Sequence, residues 1–307
     1  SETDAFAAMD YAMECGITVF DTAEAYGGGQ AKAYRRTILG IDDRRELSDE
    51  MHSSEKIVGR WLKSRGRRDH ITLVTKVTRD FTQTHVRSAL EASLSRLQTD
   101  HVDLYLYHNF DSATPAEEAV AALDAVIMAG LTRAGGCSNH TGAQLQAALD
   151  ASRGLQLKPF TAIQIPYNLL QSGHDAFPVA QRDQVAVMAY SPLAAGFLSG
   201  KYTPDRTSVP KGARFDVIPA HTDVYFNERN FRRVVQLHRL ADRVGLPALQ
   251  LALAWVLQNP LVATTLVGVR TRAHLDNALA ALHTKFAPSW MAEIDTWDVD
   301  PAVAPSH

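Results

Sequence analysis

A chain of 307 residues, of which 46% are hydrophobic, is long enough to bury a full core as one large domain or two smaller ones. Its formal net charge of -3 argues against a nucleic-acid-binding protein, because such proteins usually carry a concentrated basic face. The two cysteines, Cys15 and Cys137, lie far apart, so the sequence argues against a disulfide framework and favours a reducing compartment.

The N-terminal segment and the hydrophobic runs bear on localisation. No apolar run approaches the ~20 residues that cross a bilayer. The first residues include acidic side chains and lack the cationic start of a signal peptide. We therefore expect a cytoplasmic protein with no membrane partner.

In chain order, the sequence alternates amphipathic segments with short strands. It opens on a predicted helix marked by Phe6, Met9 and Met13. Segments rich in Val, Ile, Leu and Tyr then predict strands at residues 17–20, 71–76, 102–108, 134–137, 162–165, 185–190 and 264–267. Strands that alternate with helices predict a mainly parallel sheet.

Four of the intervening helices carry start, stop or spacing signals. Val86, Leu90, Leu94 and Leu97 recur at helical spacing. A capping box at residues 114–117, with proline at the first helical position, predicts a helix that ends at Gly130. Thr141 is a predicted N-cap, and a further helix is predicted between Pro247 and Pro260.

Two architectures fit this alternation, a closed barrel and an open doubly wound sheet. The glycines at 27–29 lack the G-x-G-x-x-G spacing of a dinucleotide-binding sheet, which favours the barrel. Two long segments without regular structure are expected at residues 27–49 and 201–228, after the carboxyl ends of strands. Barrel enzymes place their chemistry at that face.

Polar residues at the predicted strand ends form a candidate site. Asp21 follows the first strand, Lys76 ends the second and His108 ends the third, while Tyr26 lies five residues beyond Asp21. A lysine that ends an apolar strand needs a carboxylate partner, and Asp21 is available. A tyrosine beside that lysine would have a lowered pKa and could exchange a proton with a carbonyl oxygen.

These residues lie in motifs that resemble the aldo-keto reductase superfamily, in its bacterial branch related to potassium-channel β subunits. GITVFDTAEAYGGG is similar to its Asp-Thr-Ala-x-x-Tyr signature, and LVTKV and DLYLYHNFD match its lysine and histidine segments. The resemblance implies an (α/β)8 TIM barrel as a single domain over residues 1–307. It implies Tyr26 as general acid/base, Lys76 lowering its pKa, Asp21 holding Lys76, and His108 orienting the substrate carbonyl.

Further matches imply a nicotinamide cofactor. SSEKIVGRWL, GGCSNH, AIQIPYNLL and AYSPLAAGFLSGKY all resemble family segments. By resemblance, Ser138, Asn139 and Gln164 hydrogen-bond the carboxamide, and Tyr190 stacks beneath the ring. The diphosphate is then lined by small residues and one cation, namely Ser191, Leu193, Gly196, Leu198, Gly200 and Lys201.

The segment LVGVRTRAHLDNALAA matches the family's adenine-binding pattern in part. Gly268 fits, His274 stands where glutamine is usual, and Asn277 precedes Ala278, which replaces the usual asparagine. Arg270 and Arg272 can hold a 2′-phosphate, which favours NADPH over NADH.

Family members also carry a first strand before the opening helix, and no such segment precedes Ser1 in this sequence. We expect preceding residues to supply it in the natural protein, and weak or absent activity for the 307-residue chain. The substrate pocket is expected to involve Tyr26 and His108 together with the aromatic side chains of Phe110, Phe215, Tyr225, Phe226 and Trp290.

Three functions are weighed. The first is NADPH-dependent reduction of an aldehyde or ketone, or oxidation of the corresponding alcohol. The second is a cofactor-binding regulatory subunit with little turnover. The third, a metal-dependent barrel enzyme, lacks a cluster of ligands, since His101 and His108 point to opposite faces of one strand. No metal and no nucleic-acid partner is expected, and the oligomeric state is not predicted.

Overall fold

The computed structural model of the chain describes residues 1–38, 49–269 and 271–298. Each predicted strand is found, displaced by at most two residues at either end. The strands of the described ranges are β1 Val19–Asp21, β2 Thr72–Val77, β3 Val102–Tyr107, β4 Thr132–Ser138, β5 Ala162–Pro166, β6 Ala186–Tyr190 and β7 Val262–Thr265.

The strand order separates the two predicted architectures. β1, β2, β3, β4 and β5 pair in sequence order, and every one of these pairings is parallel. The sheet order continues through β6 to β7. A doubly wound sheet would reverse its order at a switch point, whereas a sequential parallel order is that of the (α/β) barrel. The predicted α/β barrel-type fold is therefore confirmed.

Helices follow nearly every strand. They are α1 Glu2–Glu14, α2 Gly28–Ile38, α3 Ser53–Arg65, α4 Gln83–Leu97, α5 Ala116–Met128, α6 Gly142–Leu155, α7 Ala176–Arg182, α8 Arg214–Val217, α9 His221–Tyr225, α10 Glu228–Val244, α11 Ala248–Leu257, α12 Arg272–Leu282 and α13 Pro288–Asp295. Short 3-10 turns lie at Arg68–His70, Ala194–Ser199 and Arg206–Ser208.

Local sequence accounts for several of these helices. The apolar spacing in α4 buries Val86, Leu90, Leu94 and Leu97, as predicted. Thr141 caps α6 through a capping box, because its hydroxyl accepts from the backbone of Gln144 and the Gln144 side chain accepts in return.

The capping box predicted at residues 114–117 is wrong. Pro115 occupies the N-cap position of α5, and no side chain caps this helix. The hydroxyl of Thr114 instead donates to the carboxylate of Asp111 at 2.7 Å. A charged acceptor three residues upstream therefore holds the hydroxyl that would have capped the helix.

The two long segments expected to be irregular are partly helical. Residues 28–38 form α2, and the rest of that segment up to residue 48 lies outside the described residues. Residues 201–228 contain α8, α9 and a 3-10 turn.

Contacts divide the chain into two compact units. The first consists of Ser1–Ile165 and His174–Met188, and the second of Pro166–Gly173 and Ala189–His307. In the first unit, β2, β3 and β4 form a core that includes Leu73, Val74 and Leu106, none of which is exposed. A single domain over residues 1–307 stays a prediction.

The second unit has its own aromatic core. Phe197 lies within 6.0 Å, centroid to centroid, of the rings of Tyr202, Phe215, Tyr225 and Phe231. Tyr202 and Phe215 stack at 4.4 Å. These rings give the 201–228 segment an apolar interior.

Within the described ranges, no single helix is both long and apolar enough to cross a membrane. Glu228–Val244 and Ala248–Leu257 satisfy the length and composition criteria only as a pair, and that pair is bent by 99°.

Candidate active site

The four predicted catalytic residues meet within the first unit. Parallel pairing sets Asp21 at the end of β1 opposite Val74 of β2, so the carboxyl ends of neighbouring strands share one edge. The Nζ of Lys76 lies 2.6 Å from Asp21 Oδ2 and 3.5 Å from the hydroxyl oxygen of Tyr26. The rings of Tyr26 and His108 are 5.4 Å apart, edge to face. The structure thus brings together all four residues.

Lys76 is a fully buried cation. Its side chain is 0% exposed, and its ammonium donates to Asp21 and, at 2.8 Å, to the carbonyl oxygen of Thr22. Burial lowers the pKa of Lys76, and the negative charge of Asp21 is the main effect that opposes the shift. The ion pair therefore keeps the charged form at a position where it would otherwise be costly.

Tyr26 lies between this cation and the surface. Its side chain is 37% exposed, and the Lys76 ammonium lies 4.7 Å from the centre of its ring. Its backbone is held from both sides, because its N–H donates to the carbonyl of Ala23 and its carbonyl accepts from Ser54. Tyr26 is therefore open to solvent, while the Lys76 side chain has no exposed surface.

Glu24 is a residue beside the predicted site that the sequence did not single out. One of its carboxylate oxygens accepts from the backbone N–H of Thr78 at 2.7 Å, and its carbonyl accepts from the side-chain amide of Gln30. The first bond ties the Tyr26 loop to the residue that follows β2, and the second ties it to α2. No signal besides its place in the Asp-Thr-Ala-x-x-Tyr segment marks it.

His108 is a neutral ring in this site. Its backbone N–H donates to the carbonyl of Val77, which continues the sheet by one residue. Burial, and secondarily the charge of Lys76, lowers the pKa of His108 to about 4. Its Nδ1 is buried and has no hydrogen-bond partner among the residues that the structure describes. At neutral pH one ring nitrogen can donate to, and the other accept from, a bound molecule.

The predicted carboxamide ligands lie beside these residues, at the ends of β4 and β5. Gln164 donates from its side-chain amide to Asp21 Oδ1 at 2.8 Å, and its backbone carbonyl oxygen accepts from the hydroxyl of Ser138. The side-chain amide of Asn139 donates to the carbonyl of His108 at 2.8 Å. The sequence assigned Gln164 to a cofactor only, whereas the structure also shows its side chain bonded to the carboxylate of Asp21.

The residues predicted for the nicotinamide ring and the diphosphate lie in the second unit, at the end of β6 and the turn after it. The Nζ of Lys201 is 3.6 Å from the point where a Cβ on Gly196 would lie, so a cation sits over this glycine. A Cβ added at Gly200 would lie 2.9 Å from the ring of His238, so a larger residue would crowd this position. Tyr190 and Ser191 are partly exposed.

Two of the residues predicted to line the diphosphate are packed inside the protein. Leu198 is 0% exposed, so neither its side chain nor its backbone is open to solvent in this structure. Leu193 packs against Leu253, Ala254 and Ala281 of α11 and α12.

The C-terminal candidates lie around the start of α12. Thr271 caps this helix by accepting from the backbone N–H of His274. Arg272, His274 and Asn277 are exposed, as is Gly268 in the preceding segment. Arg270 lies outside the described residues.

The expected aromatic wall of the substrate pocket is partly wrong. Phe215 and Tyr225 are 1% and 6% exposed, because they stack inside the aromatic core of the second unit. Phe110 in the first unit is exposed, and its ring meets His140 edge to face. Phe226 and Trp290 are partly exposed.

Within the described ranges, no group of three or more His, Cys, Asp or Glu side chains could hold a metal ion.

Comparison with known proteins places the chain in a family. The family model described as "Aldo/keto reductase family" matches residues 1–298. The chain is 31% identical to Protein tas of Escherichia coli (strain K12), covering 96% of this chain and 89% of that protein. It is 31% identical to Aldo-keto reductase YhdN of Bacillus subtilis (strain 168), over 86% of this chain and 74% of that protein.

A third relative carries a different kind of name. The chain is 28% identical to a putative voltage-gated potassium channel subunit beta of Schizosaccharomyces pombe (strain 972 / ATCC 24843), over 94% of this chain and 82% of that protein. The matching model spans nearly the whole chain, and two relatives exceed 30% identity over most of their length. The chain therefore belongs to the aldo/keto reductase family of oxidoreductases.

Proposed function

We propose that the protein transfers hydride between NADPH and an aldehyde or ketone, or the corresponding alcohol, with Tyr26 as the general acid and base. The observation that carries the proposal is the buried Lys76 ammonium, 3.5 Å from the Tyr26 hydroxyl and anchored on Asp21. A phenol that gives its proton to a carbonyl oxygen becomes a phenolate, and a fixed cation beside it stabilises that charge.

The other residues act through position. Asp21 holds the lysine, and Gln164 holds the second oxygen of Asp21. His108 is neutral at physiological pH, so its ring can donate a hydrogen bond to a substrate oxygen without competing as an acid. Tyr26 and His108, whose rings meet edge to face, can then share one substrate oxygen.

The donor set of the first unit suits a nicotinamide. Ser138, Asn139 and Gln164 offer a hydroxyl and two side-chain amides, which both donate and accept, and a carboxamide needs partners of both kinds. When bound, the cofactor supplies the hydride. Lys201 over Gly196 offers a cation and close backbone approach for a diphosphate, and Arg272 on α12 offers charge for a 2′-phosphate.

The test is turnover of NADPH with a panel of aldehydes and ketones by the protein and by a Tyr26→Phe variant. Loss of the proton donor should lower kcat by about 100-fold or more, because general acids contribute about 10²–10⁴. NADPH binding, followed by protein fluorescence, should be unchanged within a few-fold. A variant that turns over at the normal rate would refute the mechanism.

One observation favours a second candidate, a cofactor-binding regulatory subunit. It is the similarity to the fission yeast relative named as a putative channel subunit. This candidate predicts NADPH binding without turnover of any carbonyl in the panel, and no difference between the protein and its Tyr26→Phe variant.

A further inference from the structure

The first turn of α3 contacts the chain segment that carries Tyr26. Ser54, the second residue of this helix, meets that segment at both of its ends. The hydroxyl oxygen of Ser54 lies 2.8 Å from that of Thr22, and the backbone N–H of Ser54 donates to the carbonyl oxygen of Tyr26 at 3.3 Å. Ser54 therefore bridges the first and last residues of segment 22–26, and the proposed function assigns no role to it.

The two residues that Ser54 holds both lie against Lys76. The carbonyl oxygen of Thr22 accepts from the Lys76 ammonium at 2.8 Å, and the hydroxyl oxygen of Tyr26 lies 3.5 Å from the same Nζ. Thr22 is 1% exposed and Lys76 is 0% exposed, so the bond between them is shielded from solvent. A displacement of segment 22–26 would therefore change the distance between the ammonium and the phenol.

The helix that presents Ser54 is itself anchored to the strand of Lys76. The next residue, Glu55, is 0% exposed. Its carboxylate accepts from the hydroxyl of Thr75 and from the guanidinium of Arg96, each at 2.6 Å. Hydrogen bonds to a carboxylate are about twice as strong as neutral ones. Thr75 directly precedes Lys76 in β2, so the first turn of α3 has a fixed position relative to the lysine.

The contact between Ser54 and Thr22 depends on both hydroxyl groups. Either oxygen can be the donor of this single hydrogen bond. Replacing one of the two side chains by an apolar one removes the bond, and it leaves the other hydroxyl without this partner in a largely buried position. The two substitutions should therefore have the same effect on segment 22–26.

We propose that Ser54 is a positioning residue, which sets the distance between the Tyr26 hydroxyl and the Lys76 ammonium by holding segment 22–26 at both ends. The inference rests on the proposed function, in which that distance determines how well a phenolate is stabilised. At an effective dielectric constant of about 20, an increase of about 1 Å in the distance disfavours ionisation of the phenol by about fivefold.

The first measurement follows the ionisation of the Tyr26 hydroxyl. Protein whose tyrosines carry an NMR-active carbon isotope at Cζ is titrated with base, and the Tyr26 signal is identified by its absence from Tyr26→Phe. In Ser54→Ala the midpoint should move to higher pH, equivalent to about fivefold in the ionisation constant. The charged and titratable side chains beside the phenol are unchanged in this variant, namely Lys76, its partner Asp21, and His108.

Ser64→Ala is the matched control. Ser64 lies near the end of the same helix, and its hydroxyl donates to the carbonyl oxygen of Trp61 within α3, so the midpoint should not move. Thr22→Val removes the other hydroxyl of the pair and keeps the carbonyl oxygen that binds Lys76, so it should raise the midpoint as Ser54→Ala does. The double variant should go no further than the larger single change, because both substitutions remove one bond.

The second measurement separates kcat from KM in carbonyl reduction. Ser54→Ala should lower kcat about fivefold and leave the KM for NADPH unchanged, because the residues proposed to bind the cofactor are untouched. The NMR titration needs no turnover, so it decides the role of Ser54 by itself. An unaltered protein that reduces no carbonyl would refute the proposed function, whereas the titration would still support or refute the positioning role.

Four results would each overturn the assignment. They are an unchanged midpoint in Ser54→Ala, an equal change in Ser64→Ala, additive changes in the double variant, and a higher KM for NADPH with an unchanged kcat. A residue that only stabilises the fold would lower the free energy of unfolding in Ser54→Ala without moving the Tyr26 titration.

Discussion

Replacing Asp21 with asparagine tests the core of the proposed site. The substitution keeps the shape of the side chain and removes the charge that faces the Lys76 ammonium at 2.6 Å. Lys76 then retains the carbonyl of Thr22 and the more distant charge of Glu55 as favourable partners, while its burial is unchanged. The ammonium loses its principal counter-charge in a site with no exposure to water.

The expected magnitude follows from that geometry. Breaking a buried ion pair by removing one partner costs about 3–5 kcal/mol, and we expect the lower end because Lys76 can release its proton instead. Since Asp21 opposes the effect of burial, its loss should move the pKa of Lys76 further down. At neutral pH more of the lysine is then an uncharged amine, which cannot stabilise a phenolate. Carbonyl reduction should therefore fall and should recover in part as the pH is lowered, because acid restores the ammonium.

The assay combines urea denaturation with kcat/KM measured across pH. Asp103→Asn is a matched control, because the Asp103 side chain is 11% exposed and the Asp21 side chain 13%. Asp103 pairs with Arg68 at 2.9 Å, and it lies near the start of β3, whereas His108 follows the end of that strand. The control should lose comparable stability and keep the normal pH profile. If Asp21→Asn also keeps the normal pH profile, the electrostatic reasoning fails.

Three further predictions concern stability. Thr141→Ala should cost about 1 kcal/mol by removing the cap of α6, and Thr82→Ala, which removes no cap, should cost less in the same denaturation assay. Gly59→Ala should cost about 1–3 kcal/mol, because a Cβ there meets the backbone of the last turn of α4, whereas at Gly154 it meets nothing within 4 Å and Gly154→Ala should not destabilise. His108 has a folded-state pKa of about 4 against an ordinary 6.5, so the unfolded chain binds more protons between them. Its contribution to the free energy of unfolding is complete above pH 6.5 and declines as the pH falls towards 4. The free energy of unfolding of His108→Asn, measured by denaturation across pH, should therefore fall less steeply over this range.

The strands could be predicted because their sequences are both apolar and β-branched over short lengths. The clustering of the candidate site residues could be predicted because Asp21, Lys76 and His108 each sit at a strand end, and the parallel order brings such ends to one edge. The failed cap at Thr114 has a local cause, the competing carboxylate of Asp111. A motif of that kind cannot reveal which of two partners takes a hydroxyl.

The remaining errors involve contacts that only the folded chain creates. Gln164 and Asp21 are 143 positions apart, so no spacing rule links them. Phe215 and Tyr225 are aromatic residues in a long loop, a pattern that suits a pocket wall as well as a small core. Their mutual stacking at 5.7 Å, inside a cluster of further rings, places them in a core.

The hydrogen bonds of Lys76 also fix the direction of the Tyr26 proton. An ammonium has three N–H donors, and here three acceptors surround it: Asp21, the carbonyl of Thr22 and the hydroxyl oxygen of Tyr26. Lys76 has no lone pair to accept with, so the phenolic proton cannot point towards it. In the proposed mechanism, that proton points away from Lys76 and is given to the substrate oxygen. The same contact that stabilises a phenolate thus leaves the phenol oriented as a donor, and Gln164, by holding the far oxygen of Asp21, fixes the carboxylate on which the arrangement depends.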